Sequence, residues 1–131
     1  MIGLDTNILV RYITQDDPVQ AAAAATILER RLSHQEPGFV SLVVVMELVW
    51  VLRSFYAFAD DRIAEALRQM LLMPALRIQN ERQVFTAFSL FESGAASFSD
   101  ALIGALGPWA GCSTTLTFDR KAARLPHFQL A

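Results

Sequence analysis

At 131 residues the chain has the length of one ordinary domain, enough to bury about two thirds of the surface its unfolded form exposes. Hydrophobic residues make up 53 % and mean hydropathy is +0.34, yet no uncharged apolar run reaches the roughly 18 residues of a membrane helix; the excess points to a covered partner surface instead. The net charge of −2, from 11 Lys plus Arg against 13 Asp plus Glu, excludes a general polybasic nucleic-acid coat, so any phosphate contact must be local.

The single cysteine, Cys112, can make no internal disulfide and reads as a small apolar filler. No basic stretch followed by a long apolar one opens the chain, so the expected location is a reducing cytoplasm. No repeat, low-complexity tract or linker-like stretch appears, and residues 1–131 are expected to form one domain.

Met1 to Leu4 reads as a short buried strand, and Asp5 or Thr6 can cap a helix from Asn7 to Ile13. Asp16-Asp17-Pro18 is a helix start, an acceptor cap with proline in the first turn, leading into a helix from Ala21 to Leu32. Pro37-Gly38 turns the chain into a strand at Phe39-Val40, and Ser41 caps the stretch Leu42 to Phe55. The run Val43-Val44-Val45 favours a strand, but the stretch is too long for one and predicts a buried helix.

Asp60 caps a helix from Arg62 to Leu72 that Pro74 ends, and Leu76 to Ile78 is a small strand. Asn80 and Gln83 resemble a capping box for a helix through Phe91, closed by Gly94. Ser99 caps Ala101 to Leu106, where Gly107-Pro108 is expected to break or kink the helix. Ser113 to Phe118 reads as strand, Arg120 to Leu125 as a short helix and Phe128 to Leu130 as a last strand. Such alternation predicts an α/β fold with a parallel sheet between helices, in which ligands sit beyond the carboxyl ends of the strands.

That geometry gives four acids a meaning. Asp5 lies where the first strand ends and a helix begins, and Asp119 follows the last long strand in TTLTFDRKAAR; each serves equally well as a plain helix cap. Glu47 is the only polar residue in LVVVMELVWVL, and a glutamate among Val43, Val44, Trp50 and Val51 is expected to be buried with a partner; an ion pair with Arg53 or Arg82, or an unexpectedly exposed helix face, are the structural alternatives. Asp100 in ASFSDALIGAL stands in a first helical turn, where its charge meets the amide dipoles.

A parallel sheet brings the mouths of these elements together, and converging carboxylates repel unless cations neutralise them. Mg²⁺ or Mn²⁺ is the natural neutraliser, because hard divalent ions select oxygen ligands, and such a site suits phosphodiester chemistry. Arg120 and Arg124, four apart on one helical face, and Lys121 stand beside Asp119 and can meet a phosphodiester or simply face solvent. His34 and His127 read as isolated loop residues. Trp50, Phe55, Tyr56, Phe58 and Met70 read as core, or as partner surface.

The ordered set LDTNILVRY, FVSLVVVMELVWVL, SFSDALIGAL and TTLTFDRKAARLPHF resembles the PIN-domain ribonucleases, most of all the VapC-type toxins of bacterial toxin–antitoxin pairs, over the whole chain. The resemblance implies a PIN-like three-layer α/β/α fold with a short central parallel sheet flanked by helices. It implies a Mg²⁺-dependent endoribonuclease, with Mn²⁺ as a substitute, in which Asp5, Glu47, Asp100 and Asp119 are catalytic. Asp5 and Asp100 are then the metal ligands, Glu47 orients or deprotonates the attacking water, and Asp119 acts through water or a second ion.

Asn7, Arg120 and Lys121 are the implied substrate-binding residues. The implied partners are RNA, a VapB-like antitoxin whose tail covers the acidic cleft, and a second copy of the chain in a homodimer, with no membrane. Two departures stand out: Ser97 occupies a position where many relatives carry a further acid, and Gly107-Pro108 interrupts a helix usually continued by arginine or alanine.

Two other readings use the same residues. One is a catalytically silent module that binds RNA or antitoxin. The other is an aspartate-based phosphotransfer domain with Asp5 as acceptor, which generally needs a second nearby acid where this chain has Thr6 and Asn7, and a late lysine, for which Lys121 is the only candidate.

Overall fold

The computed structural model describes residues 1–131, which fall into two compact units, Met1–Gln79 and Asn80–Ala131. In the first, β1 (Ile2–Gly3), β2 (Gly38–Val40) and β3 (Leu76–Ile78) form a parallel sheet in that order. Ile2 lies opposite Gly38, and Gly38 opposite Leu76. Parallel neighbours require long crossovers, and the helices supply them: α1 (Thr6–Thr14) and α2 (Pro18–Thr26) link β1 to β2, and α3 (Leu42–Ser54) and α4 (Asp60–Leu71) link β2 to β3.

Local chemistry sets most boundaries. Asp17 accepts from the amides of Val19 and Gln20, with Pro18 at the first helical position. The helix expected to reach Leu32 does so, but widens over Ile27–Arg31 into a π-helical turn closed by Leu32 N–H donating to Ile27 O at 3.0 Å. Ser41 caps α3 by accepting from Val44 N. Asp60 is not the cap of α4: it is the first helical residue, behind Ala59, and its carboxylate accepts from Arg53 at 2.9 Å.

Leu9, Val10, Val40, Val45, Leu48, Leu52, Ile63, Leu67 and Met70 fill the core of this unit. Gly38 is buried because three leucines close over it. A Cβ there would stand 2.7 Å from Leu32 Cδ1 and about as close to side-chain atoms of Leu4 and Leu76, so only glycine lets β2 run under this layer.

The second unit holds α5 (Glu81–Glu92), α6 (Phe98–Trp109), β4 (Thr115–Thr117), a single 3₁₀ turn (Ala122–Arg124) and β5 (Phe128–Leu130), with β4 and β5 parallel and Thr115 opposite Phe128. Helices α5 and α6 pack through Val84, Ala87, Phe91, Phe98 and Leu102, with the rings of Phe91 and Phe98 edge to face at 6.1 Å. Gly94, at φ +79°, closes α5 as expected, with Ala95 N–H donating to Leu90 O at 3.0 Å.

Three expectations fail here for identifiable reasons. Asn80 forms no capping box; it adopts φ +50° without a side-chain bond to the backbone, and meets Gln83 only at 3.5 Å. The cap of α6 is Ser97, not Ser99, so the helix starts three residues earlier than expected. Gly107-Pro108 does not break α6, which runs on to Trp109, because proline this near the end removes one helical hydrogen bond with a single helical residue left to follow. The chain is thus mixed α/β with every strand pair parallel. No helix is long and apolar enough to cross a membrane.

Candidate active site

In the first unit, β1 and β2 run side by side and both end where a helix is capped. Asp5 is the residue before α1, with extended backbone at φ −81° and ψ 157°, and Ser41 stands in the corresponding place before α3. One oxygen of Asp5, Oδ1, accepts from Thr6 N at 2.8 Å; Oδ2 has no hydrogen-bond partner. The carboxylate therefore commits one oxygen to the cap and turns the other to solvent, since Asp5 is exposed.

Behind it Thr6 is 2 % exposed and its hydroxyl has no partner, an orphaned polar atom in a position that costs stability. Glu47 corrects the sequence reading. It is exposed rather than buried, on an outer stripe of α3 with Val43 and Trp50, and does not pair with Arg53, which binds Asp60 instead. A helix this apolar would be expected inside, yet only one face is: Val44, Val45, Leu48, Val49 and Leu52 pack inward while the outer face keeps its valine and tryptophan in water.

In the second unit Asp100 is half-buried in the first turn of α6. Its amide donates to Ser97 Oγ at 3.2 Å, and its carboxylate has no hydrogen-bond partner. A small cavity of about 60 Å³ brings Asp100 together with Ser97 and Lys121. Asp119 is exposed and caps the 3₁₀ turn: Oδ1 accepts from the amides of Lys121 at 2.8 Å and Ala122 at 3.2 Å, leaving Oδ2 without a partner.

Arg120, Lys121 and Arg124 are exposed, but Arg120 and Arg124 do not share a helical face. The helix is only Ala122–Arg124, and at three residues per turn Lys121 and Arg124 align instead. Asp100 also lines a groove of about 770 Å³ along α5 and α6, with Leu90, Gly104, Trp109 and His127 among others. Gly104 keeps it open to Phe128, whose ring would lie 2.7 Å from a Cβ there. Cys112 is exposed, not a core filler.

Asn7 is exposed and lines a recess of about 450 Å³ with Val10, Arg11, Val51, Phe55 and Tyr56. Its polar wall was not foreseen. Arg11 Nε donates to Gln20 at 2.7 Å, and Nη1 donates to Asp16 and to Tyr56 Oη at 2.9 Å, while Tyr56 donates to Asp16 at 2.6 Å. The hydrogen bonds from Tyr56 and Thr14, together with the Arg11 charge, hold the Asp16 carboxyl below its ordinary value. The signal available in sequence was the spacing of Asn7 and Arg11, four apart on one face of α1.

The aromatic expectation divides. Met70 is core, Tyr56 and Phe58 are half-buried, and Trp50 and Phe55 are exposed by 58 % and 72 %. His34 is exposed as expected, its Nδ1 accepting from Arg77 at 3.0 Å.

As a donor set the four acids offer only carboxylate oxygens, the chemistry a hard divalent cation selects. Each retains at least one oxygen without a partner. Each unit supplies two of them, and no group of three or more His, Cys, Asp or Glu placed to hold an ion occurs in the structure. A comparison with individually curated proteins finds no match. The family model of the PIN domain matches residues 2–127, nearly the whole chain, and the chain therefore belongs to the PIN-domain family, a nuclease-type fold whose enzymes typically use divalent metals.

Proposed function

We propose that the chain is a Mg²⁺-dependent endoribonuclease, with residues 1–131 acting as one PIN domain and serving as the toxin of a bacterial VapC-type toxin–antitoxin pair. The observation that carries the reading is that Asp5, Asp100 and Asp119 stand at or near the start of a helix or turn and Glu47 midway along α3, each with carboxylate oxygen uncommitted, in a chain of this family. Asp5 and Asp100 are the residues that would hold the metal. When bound, the ion supplies charge neutralisation and an acidified water for attack on phosphorus.

The chain's own residues do the rest. Glu47, exposed and without a partner, is the general base or orienter of that water. Asp119 adds negative charge or an outer contact through Oδ2. Arg120 and Lys121, free of ion pairs, hold phosphate oxygens, and Asn7 positions the chain of the substrate. A VapB-like antitoxin and a second copy of the protein are the partners; the reading draws support from apolar side chains left in water, Trp109 and the 90 % exposed Phe118 among them. The setting is the cytoplasm.

The silent-module reading has one observation in its favour, that no group of three or more metal-ligating side chains is gathered in the structure. The two part on one experiment. Purified protein with Mg²⁺ is expected to cut cellular RNA at defined sites, read by sequencing the new ends. Glu47→Gln should slow cleavage by about 10²–10⁴-fold at unchanged thermal stability. Absence of cleavage across total RNA, with the protein folded and Mg²⁺ present, would leave the binding module as the account.

A further inference from the structure

The recess beside Asn7 has features that the reactions of the four acids do not use. Its volume, about 450 Å³, lies within the range of small-ligand sites, roughly 300–1,000 Å³. One wall is polar and rigid. Arg11 is gripped by Gln20, Asp16 and Tyr56 through Nε and Nη1, which leaves Nη2 with no partner and fixes where it points. Asn7 adds an amide, both donor and acceptor, with no hydrogen bond of its own.

The other wall is aromatic. Phe55 and Tyr56 line it, and Trp50 packs edge to face against Phe55 at 5.6 Å, so two large rings stay mostly in water side by side. Exposed rings of this size carry a hydration cost and make flat stacking surfaces. Charge decides what they stack. Arg11 is balanced by Asp16 at 3.2 Å, and no other cation lines the recess, so a phosphate finds no uncompensated positive charge there. A neutral flat ring with hydrogen-bonding edges finds both of the things it needs.

We infer that this recess is a nucleobase subsite, taking one unpaired base of single-stranded RNA. The base stacks on Phe55 with Trp50 beside it, and its edge meets Asn7 and Arg11 Nη2. The inference rests on the ribonuclease reading, since it names how that site holds its substrate. Asn7 lies two residues after Asp5, and Val51 and Phe55 follow Glu47 at four-residue intervals along α3, so the subsite continues from the two acids of the first unit. A paired base cannot stack in this way, which limits the substrate to unpaired segments.

Binding can be read apart from cleavage. A Trp109→Phe protein keeps Trp50 as its one tryptophan, and in excess chelator no metal-dependent cutting occurs. Trp50 fluorescence is titrated with a short mixed-sequence RNA, with its duplex, and with an abasic oligomer of equal length and charge. The single strand should quench Trp50 and bind at least about tenfold tighter than the duplex or the abasic oligomer, and Phe55→Ala should abolish that difference. Asn7→Ala should reduce it several-fold.

Equal binding of base-bearing and abasic oligomers would overturn the inference, as would a preference that survives Phe55→Ala. It would also be overturned if Phe55→Ala dissociated a homodimer while RNA binding stayed intact, for the rings would then serve a second copy of the chain. Failure of the ribonuclease reading shows elsewhere, as absence of RNA cleavage in Mg²⁺ by a protein that still prefers the base-bearing strand.

Discussion

Asp5 and Asp119 each divide one carboxylate between a cap and open solvent. Each uses Oδ1 to satisfy amides at the start of a helix or turn and leaves Oδ2 uncommitted, so the capping expectation holds and the proposed site role has an oxygen left to it. Position along the sequence was enough to find these two caps. The exposure of Glu47 was not legible there, because its neighbours are apolar on every side of the helix and only the packing of α3 decides which side faces in.

Thr6 carries a stability cost that can be measured. Its buried hydroxyl lacks a partner, so Thr6→Val, equal in shape, is expected to raise the unfolding free energy by about 1 kcal/mol in denaturant titrations. Unchanged or lowered stability would mean that the hydroxyl is satisfied in solution. Asp16 gives a pH signature. Its folded pKa lies below the ordinary 3.8, so its contribution is fully present above that value and is lost as pH falls through the folded value. As pH falls from the ordinary value through the lower folded one, the wild type should lose thermal stability faster than Asp16→Asn, and parallel curves would contradict this.

At the scale of elements, turn and cap residues made most boundaries readable. Pro18 after Asp17, Ser41, and Gly94 each act where the sequence indicated, and β3 and β5 fall on the expected residues. The misses share a cause, since several residues in a row could cap and local chemistry does not choose among them. Ser97 and Ser99 both qualify, and Phe98, fully buried against Phe91, selects the earlier start. Asp60 was expected to cap α4, and the reach of Arg53 drew its side chain away.

The short 3₁₀ turn after Asp119 likewise replaced an expected helix, which moved Arg124 from the side of Arg120 to that of Lys121. Packing makes one residue of β2 sharply testable. Gly38→Ala places a Cβ against Leu4, Leu32 and Leu76 and should cost about 1–3 kcal/mol by chemical denaturation. A neutral effect would show that the leucine layer can give way.

At the scale of the molecule, alternation of short strands and helices was sufficient to predict a mixed α/β chain with parallel pairing. What alternation could not show is that the strands form one set of three and one set of two, with the four acids shared equally between the units that carry them. At a net charge of −2 the acids are not conspicuous by number, only by place.

The most direct measurement is Mg²⁺-dependent cleavage of a mapped RNA target by wild type, Asp5→Asn and Asp100→Asn, with circular dichroism to confirm that all three are folded. The account predicts that each single substitution, one in either unit, lowers cleavage by at least about 10³-fold and that the double variant is no worse, as for residues acting as a unit. Cleavage that persists at the wild-type rate in a folded Asp5→Asn or Asp100→Asn protein would contradict it.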